Sequence, residues 1–297
     1  MATSRFHEGE LAVQQRAGVR AEADRLAGML APPHLDGGPA RFLGERTFAA
    51  LTGRDPGGRL WTSPLVGPPG FLDADATTLR IHALPLPGDP LQDLPAGQAV
   101  GLIAVDYARR RRIRINGVLA ERTAEGLRVD VEQAFGNCPK YIKPRHLAAE
   151  AGPVDRHAPS RSATLSAEQR ALLAAAETFY LGTTHPERGV DTSHRGGPAG
   201  FLRVGDGDLW WPDYPGNNMF NSFGNLAVDD TAAMLVPDFA GGTSLLLSGR
   251  AVVEWVAPGS AGDDGGTGRR VRFTVQQAAS AALPVHEDPG SPRGAAA

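Results

Sequence analysis

Gly67-Pro68-Pro69-Gly70-Phe71-Leu72 is the strongest signal of the fold in this sequence, because the chain repeats it almost unchanged at Gly197-Pro198-Ala199-Gly200-Phe201-Leu202. The numbers of equivalent residues differ by 130. In both copies an apolar residue, Leu79 or Leu209, follows the Phe by eight positions. Matching landmarks at matching spacings indicate two copies of one fold unit.

Two later landmarks extend the repeat toward the end of each copy. An Asp-aromatic-Ala step occurs at Asp106-Tyr107-Ala108 and again at Asp238-Phe239-Ala240. A small residue followed by Gly comes soon after it, at Asn116-Gly117 and Ser248-Gly249. Two copies are too few for a solenoid, so the sequence predicts a tandem pseudo-dimer.

Composition favours a mainly β fold with few helices. The 297 residues include 37 Gly and 24 Pro, which is typical of short strands joined by turns. The strand-like segments do not alternate regularly with helices, and this pattern points to small antiparallel barrels. A helix is expected after Ser166, because Ser166 and Gln169 have the spacing of a capping box.

The predicted organisation has five parts, taken from the repeat boundaries and from composition. They are an N-terminal helical arm (1–40), a first repeat (41–149), a linker rich in Pro, Ser and Arg (150–165), a second repeat (166–280) and a disordered tail (281–297).

Charge and cysteine content exclude several classes of protein. The net charge is −3, from 30 basic and 33 acidic residues, so we expect no nucleic-acid partner and no membrane. The single cysteine, Cys138, rules out an internal disulfide and fits a reducing compartment. Residues 1–10 lack the apolar core of a signal peptide. We therefore expect a cytoplasmic protein.

Two polar segments of the second repeat are candidates for chemistry. Asp191–Gly197 contains Ser193, His194 and Arg195, and Asp213–Asn218 contains Tyr214, Asn217 and Asn218, with Asn225 close behind. Two such loops, rich in glycine and in hydrogen-bond donors, suit a phosphate or another oxyanion, because backbone N–H groups can approach it and Arg can bind it in bidentate fashion. For either segment alone, an ordinary turn or exposed loop explains the same residues.

Comparison of the two copies favours the binding interpretation. Asn217 and Asn218 correspond to Pro87 and Gly88 of the first copy, and proline has no N–H to donate. Ser193-His194-Arg195 corresponds to Ser63-Pro64-Leu65. The second copy is therefore predicted to be functional, and the first to be scaffold that contributes Trp61 and Ser63 as a wall.

Several motifs together resemble those of the pyridoxamine 5'-phosphate oxidase-like, FMN-binding split-barrel family, and within it the tandem flavin-nucleotide-binding branch. The resemblance covers most of residues 5–255. It is carried by the following segments: Phe6-His7-Glu8-Gly9-Glu10, Asn137–Ile142, His194-Arg195-Gly196-Gly197, Leu209–Tyr214, Gly216-Asn217-Asn218, Gly224-Asn225-Leu226 and Gly249-Arg250-Ala251.

The resemblance implies two tandem split β-barrels with FMN in a groove between them. The second repeat would bind the cofactor, and the first would carry a degenerate cofactor loop. Asn217 and Asn218 depart from the basic and hydroxyl residues usual in the oxidase, so Arg195, Ser193 and Lys140 would supply the missing charge. The cofactor residues implied are Ser193, Arg195, Tyr214, Asn217, Asn218, Asn225, Trp61, Ser63 and Lys140. No C-terminal Arg-x-His substrate motif is present, so the vitamin-oxidase activity is not implied.

The function expected is therefore an FMN-dependent oxidoreductase acting on a small molecule, with an electron donor such as NAD(P)H. His194 and Tyr141 are the candidate proton donors. The alternatives are a flavin or haem carrier, with His7 or His194 as the haem ligand, and a catalytically silent interaction protein. The chain would be a monomeric pseudo-dimer or a homodimer.

Three further features have simple interpretations. The run Arg109–Arg112, followed by Arg114, matches the tip of a hairpin and is interpreted as a solvated turn, with a basic binding patch as the alternative. Cys138 is interpreted as buried filler rather than a reactive thiol. The histidines lack partners at zinc spacing, so no metal is assigned.

Overall fold

The fold is mainly β and consists of two split-barrel units. The computed structural model describes residues 5–30, 33–136, 139–149 and 160–288. Residues Glu150–Pro159 of the predicted linker, Cys138 and residues 289–297 of the predicted tail lie outside the described residues.

Seven strands build the sheet of the first unit. They are β1 (Phe48–Arg54), β2 (Leu60–Val66), β3 (Leu72–Asp75), β4 (Thr78–Ile81), β5 (Ala99–Asp106), β6 (Arg111–Arg122) and β7 (Leu127–Gly136). Neighbouring strands are antiparallel and follow the order β2-β1-β5-β6-β7-β4-β3.

The sheet of the second unit has the same order of strands. After β8 (Leu147–Ala149) and β9 (Ser160–Ser162) come β10 (Thr178–His185), β11 (Gly189–Gly196), β12 (Arg203–Val204), β13 (Asp208–Pro212), β14 (Thr231–Asp238), β15 (Thr243–Trp255), β16 (Arg269–Ala282) and β17 (Val285–Glu287). The main path is β11-β10-β14-β15-β16-β13-β12, with β9 paired to β16. Strand by strand this matches the first unit, so the predicted fold class is confirmed.

The repeated Gly-Pro-x-Gly-Phe motif makes the same turn in both units. In the first unit the Phe71 N–H donates to Pro68 O at 3.0 Å, and in the second Phe201 donates to Pro198 O at 3.0 Å. The glycine before each Phe has φ of 94° or 81°, a left-handed conformation that favours glycine. The motif therefore specifies the turn between strands that follow each other along the chain, β2 and β3 in the first unit and β11 and β12 in the second.

The described residues include five α-helices and one 3₁₀ helix. They are α1 (Glu8–Ala17), α2 (Arg20–Asp24), a 3₁₀ helix (Ala27–Leu30), α3 (Gly38–Gly44), α4 (Ala167–Ala175) and α5 (Asn221–Val228). The capping box predicted at Ser166 is present at the start of α4. Within the described residues, no helix has the length and apolarity needed to span a bilayer.

Helix α1 packs on the second unit rather than extending as an arm. Gly9 of α1 contacts Gly224 of α5 so closely that a Cβ on Gly9 would lie 2.2 Å from Gly224 O. His7 and Glu10 form the capping box of α1. The Glu10 carboxylate also accepts a hydrogen bond from Asn221, the first residue of α5. The N-terminal segment therefore sets the position of α5.

Two predictions about local structure are wrong. The predicted loop at Asp191–Gly197 is strand β11 as far as Gly196, because its polar side chains find buried partners across the interface between the units. The predicted tail is ordered through Glu287, since Leu283 and Val285 are buried and β17 pairs with β8. Ser160–Ser162 of the predicted linker likewise pair with β16.

The two units meet through buried polar contacts as well as apolar ones. The hydroxyls of Tyr107 and Tyr180, one from each unit, are 2.5 Å apart. The Thr192 hydroxyl donates to Gly101 O at 2.8 Å and lies 2.6 Å from Thr52 Oγ1. These contacts fix the groove between the units.

Replacement of Gly101 tests how closely the units approach. A Cβ at Gly101 would lie 2.9 Å from Thr192 N and 2.9 Å from Val190 O of the opposite unit. Because those atoms are backbone, we expect Gly101→Ala to lower the free energy of unfolding by about 1–3 kcal/mol. The control is Gly44→Ala at the end of α3, where a Cβ meets nothing within 4 Å. Equal urea midpoints for the two variants would contradict the close contact.

Candidate functional site

A cavity of about 870 Å³, including its open mouth, lies between the two units. Strand β6 of the first unit contributes Arg112 and Arg114, and the segment after β7 contributes Lys140 and Tyr141. The second unit supplies the rest: His194, Arg195, Gly196, Phe201, Trp211, Pro212, Asp213, Tyr214, Gly216, Asn217, Asn218, Phe220, Asn221, Ser222, Phe223 and Arg269. The lining combines apolar and aromatic side chains with a few convergent charged groups, as small-molecule sites do.

The wall of the cavity is positively charged. Of the described residues that line it, five are Arg or Lys and one, Asp213, is acidic. Asp213 is committed to Arg269, whose Nε donates to the Asp213 carboxylate at 2.9 Å. Burial raises the Asp213 pKa, while Arg195 and Arg269 oppose that rise. The remaining positive charge favours an anionic ligand.

Arg195 is the side chain best placed to bind that anion. It is partly buried, its guanidinium lies 5.2 Å from the centre of the Phe223 ring, and its buried Nε has no hydrogen-bond partner within the described residues. Burial lowers the Arg195 pKa to about 10, so the side chain stays charged at neutral pH. A buried charged donor without an acceptor calls for a ligand that supplies one.

The start of helix α5 faces the same space. Its residue before the helix, Phe220, makes no side-chain cap, and Phe220, Asn221, Ser222 and Phe223 all line the cavity. The first N–H groups of a helix have no partner within the helix, and they carry partial positive charge. Arg195 and the start of α5 together form an anion cradle.

Asp191 of β11 ties the two units together beside this cradle. It accepts from Arg114 Nη1 at 3.2 Å, from Asn116 Nδ2 at 3.4 Å and from Ser222 Oγ at 3.1 Å. Ser222 is also 3.1 Å from Ser193 Oγ. Ser193 is therefore buried one layer behind the wall of the cavity and supports Ser222.

The predicted Asn217–Asn218 turn reaches the cavity, but the Asn217 side chain serves local structure. The Asn217 side chain accepts from Met219 N at 3.2 Å, which forms an Asx turn. Asn218 has φ of 60°, in the left-handed region that asparagine tolerates. The turn delivers Phe220 and the start of α5 to the cavity.

An aromatic pair stands at the mouth of the cavity. The rings of Tyr141 and Tyr214 stack with their centres 5.1 Å apart, and Tyr141 donates its hydroxyl to Pro215 O at 3.1 Å. Lys140 lies beside them and is exposed. Three of the predicted site residues are thus brought together at this edge.

Three other predicted cofactor residues do not line the cavity. Trp61 is fully buried in the core of the first unit and donates to Asp55 at 3.0 Å. Ser63 is also buried there and donates to Asp89 at 2.5 Å. Asn225 donates to Thr183 at 3.0 Å on the far side of α5. Trp61 and Ser63 occupy positions equivalent to residues of strand β11 in the second unit. Their side chains, however, are buried among residues of the first unit and do not reach the cavity.

Asp89 makes the first unit sensitive to pH. It accepts from Ser63 and Leu91, and burial raises its pKa from 3.8 to about 6. Folding therefore favours the protonated carboxyl, so this contribution to stability is lost as pH rises from about 4 through 6. We expect Asp89→Asn to raise the free energy of unfolding by about 1–3 kcal/mol at pH 8 and by about a third of that amount at pH 4.5, where the unfolded carboxyl is already mostly ionised.

Urea unfolding at pH 4.5 and pH 8 measures this difference. Asp93→Asn is the control, because Asp93 is exposed in the same loop and pairs only loosely with Arg122. An Asp89→Asn variant that is less stable than wild type at pH 8 would contradict the assignment.

His194 lines the cavity, yet both of its ring nitrogens are engaged. Arg112 Nη1 lies 3.0 Å from Nδ1, and a guanidinium only donates, so Nδ1 accepts. Nε2 then carries the proton and faces Thr178 Oγ1 at 2.6 Å. Burial, with help from Arg112 and Arg195, places the His194 pKa well below its ordinary value. The geometry does not support His194 as a proton donor or as a haem ligand.

The histidines near helix α1 are engaged in the same way. His185 Nδ1 accepts from the N–H groups of Glu187 and Arg188 at 3.1 Å, so Nε2 is protonated and donates to Glu8 at 3.1 Å. His7 Nδ1 accepts from Gly9 N at 3.2 Å. These three side chains cluster closely enough to hold a metal ion. A metal on His185 Nε2 would force a proton onto Nδ1 against two donors, so the tautomer argues against a site there.

The interpretation of the run Arg109–Arg112 as a solvated turn is wrong for its last residue, Arg112. Arg109 is exposed and pairs with Glu45, as a solvated turn requires. Arg112 instead begins the cavity wall, and Arg114 follows two residues later on the same strand face. The alternation of Arg and Ile in this strand was a signal that both arginines share a face. Ser222 lies in the polar segment that the sequence had marked after Asn218, whereas Arg269 was missed, since nothing near it in sequence marks a site.

Among known proteins, only solved structures resemble this chain, and they resemble part of it. No family model matches the chain. No curated protein matches it either. Solved structures similar to part of it include a FAD-binding protein from Mesorhizobium loti, at 13% identity and a TM-score of 0.29, with 41% of this chain and 96% of that chain covered.

Two other similar structures come from Group A Streptococcus and Clostridium acetobutylicum. HupZ of Group A Streptococcus has 9% identity and a TM-score of 0.31, covering 37% of this chain and 89% of that chain. A protein from Clostridium acetobutylicum, related to general stress protein 26 and described as of the pyridoxinephosphate oxidase family, has 13% identity and a TM-score of 0.28, covering 41% and 91%. Each match spans about as much of this chain as one unit, and the likeness concerns the fold alone.

Proposed function

We propose that this protein is a flavin-nucleotide-dependent oxidoreductase that binds FMN in the cavity between its units and acts on a small molecule. The observation that carries the proposal is the anion cradle of Arg195 and the start of α5, set in a cavity with aromatic walls. A nucleotide with one anionic end and one planar aromatic end matches both parts of such a site.

The described residues fit FMN at its phosphate end. Arg195 would donate to the phosphate, as would the free N–H groups at the start of α5. The buried Arg195 Nε without an acceptor supports this assignment. Arg114 and Arg269 are held by Asp191 and Asp213, so they add positive potential rather than a free donor.

The aromatic residues of the cavity fit the other end of the nucleotide. Tyr141, Tyr214 and Phe220 offer flat faces, and Phe201 and Trp211 close the cavity toward the core of the second unit. The buried Trp211 Nε1 has no hydrogen-bond partner within the described residues, so it is a donor for a polar atom of the ligand. Bound flavin supplies hydride and electron transfer, while these residues orient it and limit its contact with water.

Reduction of the reconstituted protein tests the oxidoreductase. The protein is mixed with FMN, desalted and then treated anaerobically with NADH or NADPH, while absorbance at the flavin band is followed. We expect flavin to be retained, bleached by the donor and restored by a small-molecule acceptor such as a quinone. Flavin that is retained but never reduced by either donor would favour a carrier instead. Failure to retain any flavin would contradict the proposal itself.

A further inference from the structure

A chain of hydrogen bonds starts in the first unit and ends at the backbone of Arg195. Arg112 donates to His194 Nδ1 at 3.0 Å, His194 Nε2 faces Thr178 Oγ1 at 2.6 Å, and the Thr178 hydroxyl lies 3.3 Å from Arg195 O. Each donor and acceptor in this series has one consistent direction, because the guanidinium can only donate and the carbonyl can only accept.

The members of the chain have little freedom to move. His194 is 4% exposed and Thr178 is 5% exposed. The His194 ring also packs against Tyr107 and Tyr180, with ring centres 6.0 and 5.7 Å away. Those tyrosines come from the two units and share a hydrogen bond. The His194 ring is therefore fixed by hydrogen bonds at both nitrogens and by packing against two tyrosine rings.

The charge around His194 keeps its ring neutral. Besides Arg112, the groups that face it are Arg195, Arg145 and Arg114, all positive, and the two buried tyrosines, whose pKa values burial raises. A protonated His194 would need to turn a second N–H toward Arg112. The Nε2–H tautomer is thus the form compatible with the observed contacts.

We infer that His194 is a positioning residue that holds Arg195 in the anion cradle through Thr178, and that Arg112 of the first unit sets the His194 tautomer for this purpose. The inference rests on the proposed function. It gives the first unit a specific part in ligand binding, since one of its arginines reaches the phosphate-binding residue of the second unit through two intermediate side chains.

Thr178 is the place to test this chain, because it does not line the cavity and cannot touch the ligand. Thr178→Val removes the contacts of this hydroxyl with His194 and Arg195 O, and also its contact with Tyr107, while keeping the size of the side chain. We expect the Kd for FMN, measured by quenching of flavin fluorescence, to rise about tenfold. Thr178→Ser restores the hydroxyl and should bind within about twofold of wild type.

The control is Thr184→Val on the same strand β10, a residue of equal burial that does not line the cavity. It should leave the Kd unchanged. Wild-type affinity in Thr178→Val, or a loss of affinity that Thr178→Ser does not restore, would overturn the inference.

The tautomer provides a measurement that needs neither a variant nor FMN. Long-range ¹H–¹⁵N spectra of the wild-type protein at pH 7 should show His194 protonated at Nε2 and unprotonated at Nδ1. A His194 proton at Nδ1 would overturn the inference whatever the flavin result. If wild type fails to bind FMN, the proposed function fails, and the tautomer alone then decides whether this hydrogen-bond chain exists.

Discussion

Arg195→Gln should lower the affinity for FMN about 100-fold. A guanidinium bound to a phosphate makes charge-assisted hydrogen bonds worth about 1.5–3 kcal/mol each, and glutamine supplies neither the charge nor the second donor. No carboxylate lies within ion-pairing distance of Arg195 among the described residues, so the residue is available to a ligand. Titration of both proteins with FMN, followed by flavin fluorescence, measures the loss.

The same substitution should leave the protein at least as stable as wild type. Removing a buried donor that lacks an acceptor relieves a cost of about 1–3 kcal/mol. The contact with Phe223 offsets this by about 1 kcal/mol at most. The matched control is Arg203→Gln, because Arg203 is exposed on β12, the next strand along the chain, and pairs with Asp264. Equal losses of FMN affinity in the two variants would show that Arg195 has no special part in binding.

Asp191→Asn should lower the free energy of unfolding by about 3–5 kcal/mol. The Arg114 and Asp191 side chains are 8% and 4% exposed, and the substitution leaves the Arg114 charge buried without its counterion. An exposed pair in the same protein, Arg250 with Asp230, gives the comparison. Asp230→Asn should cost less than about 1 kcal/mol. Both are measured by urea unfolding at pH 7.

A double variant separates the loss of the pair from the loss of packing. Arg114→Met together with Asp191→Leu replaces both charges by apolar groups, and such replacements of buried pairs are often neutral. We expect the double variant to recover most of the stability that Asp191→Asn loses. A double variant as unstable as the single one would mean that Asp191 acts through Asn116 and Ser222 instead.

The repeat in the sequence was enough to predict the architecture. The Gly-Pro-x-Gly-Phe motif specifies a turn through local geometry, and two copies of it 130 residues apart place the same turn in the same part of two sheets. The second shared landmark also has a structural basis, since both small-Gly pairs coincide with breaks in strand register, at Asn116/Gly117 and Ser248/Gly249. Local rules of this kind can be read from one sequence.

The part that could not be predicted depends on packing between distant segments. Helix α5 begins with Asn221 and contains Gly224, which are poor helix formers. It is held by contact between Gly9 and Gly224 and by the bond from Asn221 to Glu10. The polar strand β11 was mistaken for a loop because the side chains of Asp191 and Thr192 find their hydrogen-bond partners in the other unit, and the sequence of β11 does not reveal those partners.

The residues of the candidate site also fall into those that the sequence could predict and those that depend on packing between the units. Arg195, Asn217 and Asn218 were found because the comparison of the two copies singles them out, and Tyr214 because it lies in the same polar segment as the two asparagines. All four line the cavity. The equivalent comparison wrongly suggested Trp61 and Ser63, because equivalent register does not mean equivalent surroundings when two units pack face to face. Arg112 and Arg114 reach the site across that interface, which a single repeat does not reveal.

The most direct measurement is a calorimetric titration of the purified protein with FMN and, separately, with riboflavin, which lacks the phosphate. The structure predicts one FMN per chain, since the cradle belongs to the second unit alone, and at least tenfold weaker binding of riboflavin, because it leaves Arg195 and the start of α5 without their anion. Two FMN molecules per chain, equal affinity for the two flavins, or no binding of either would contradict the account.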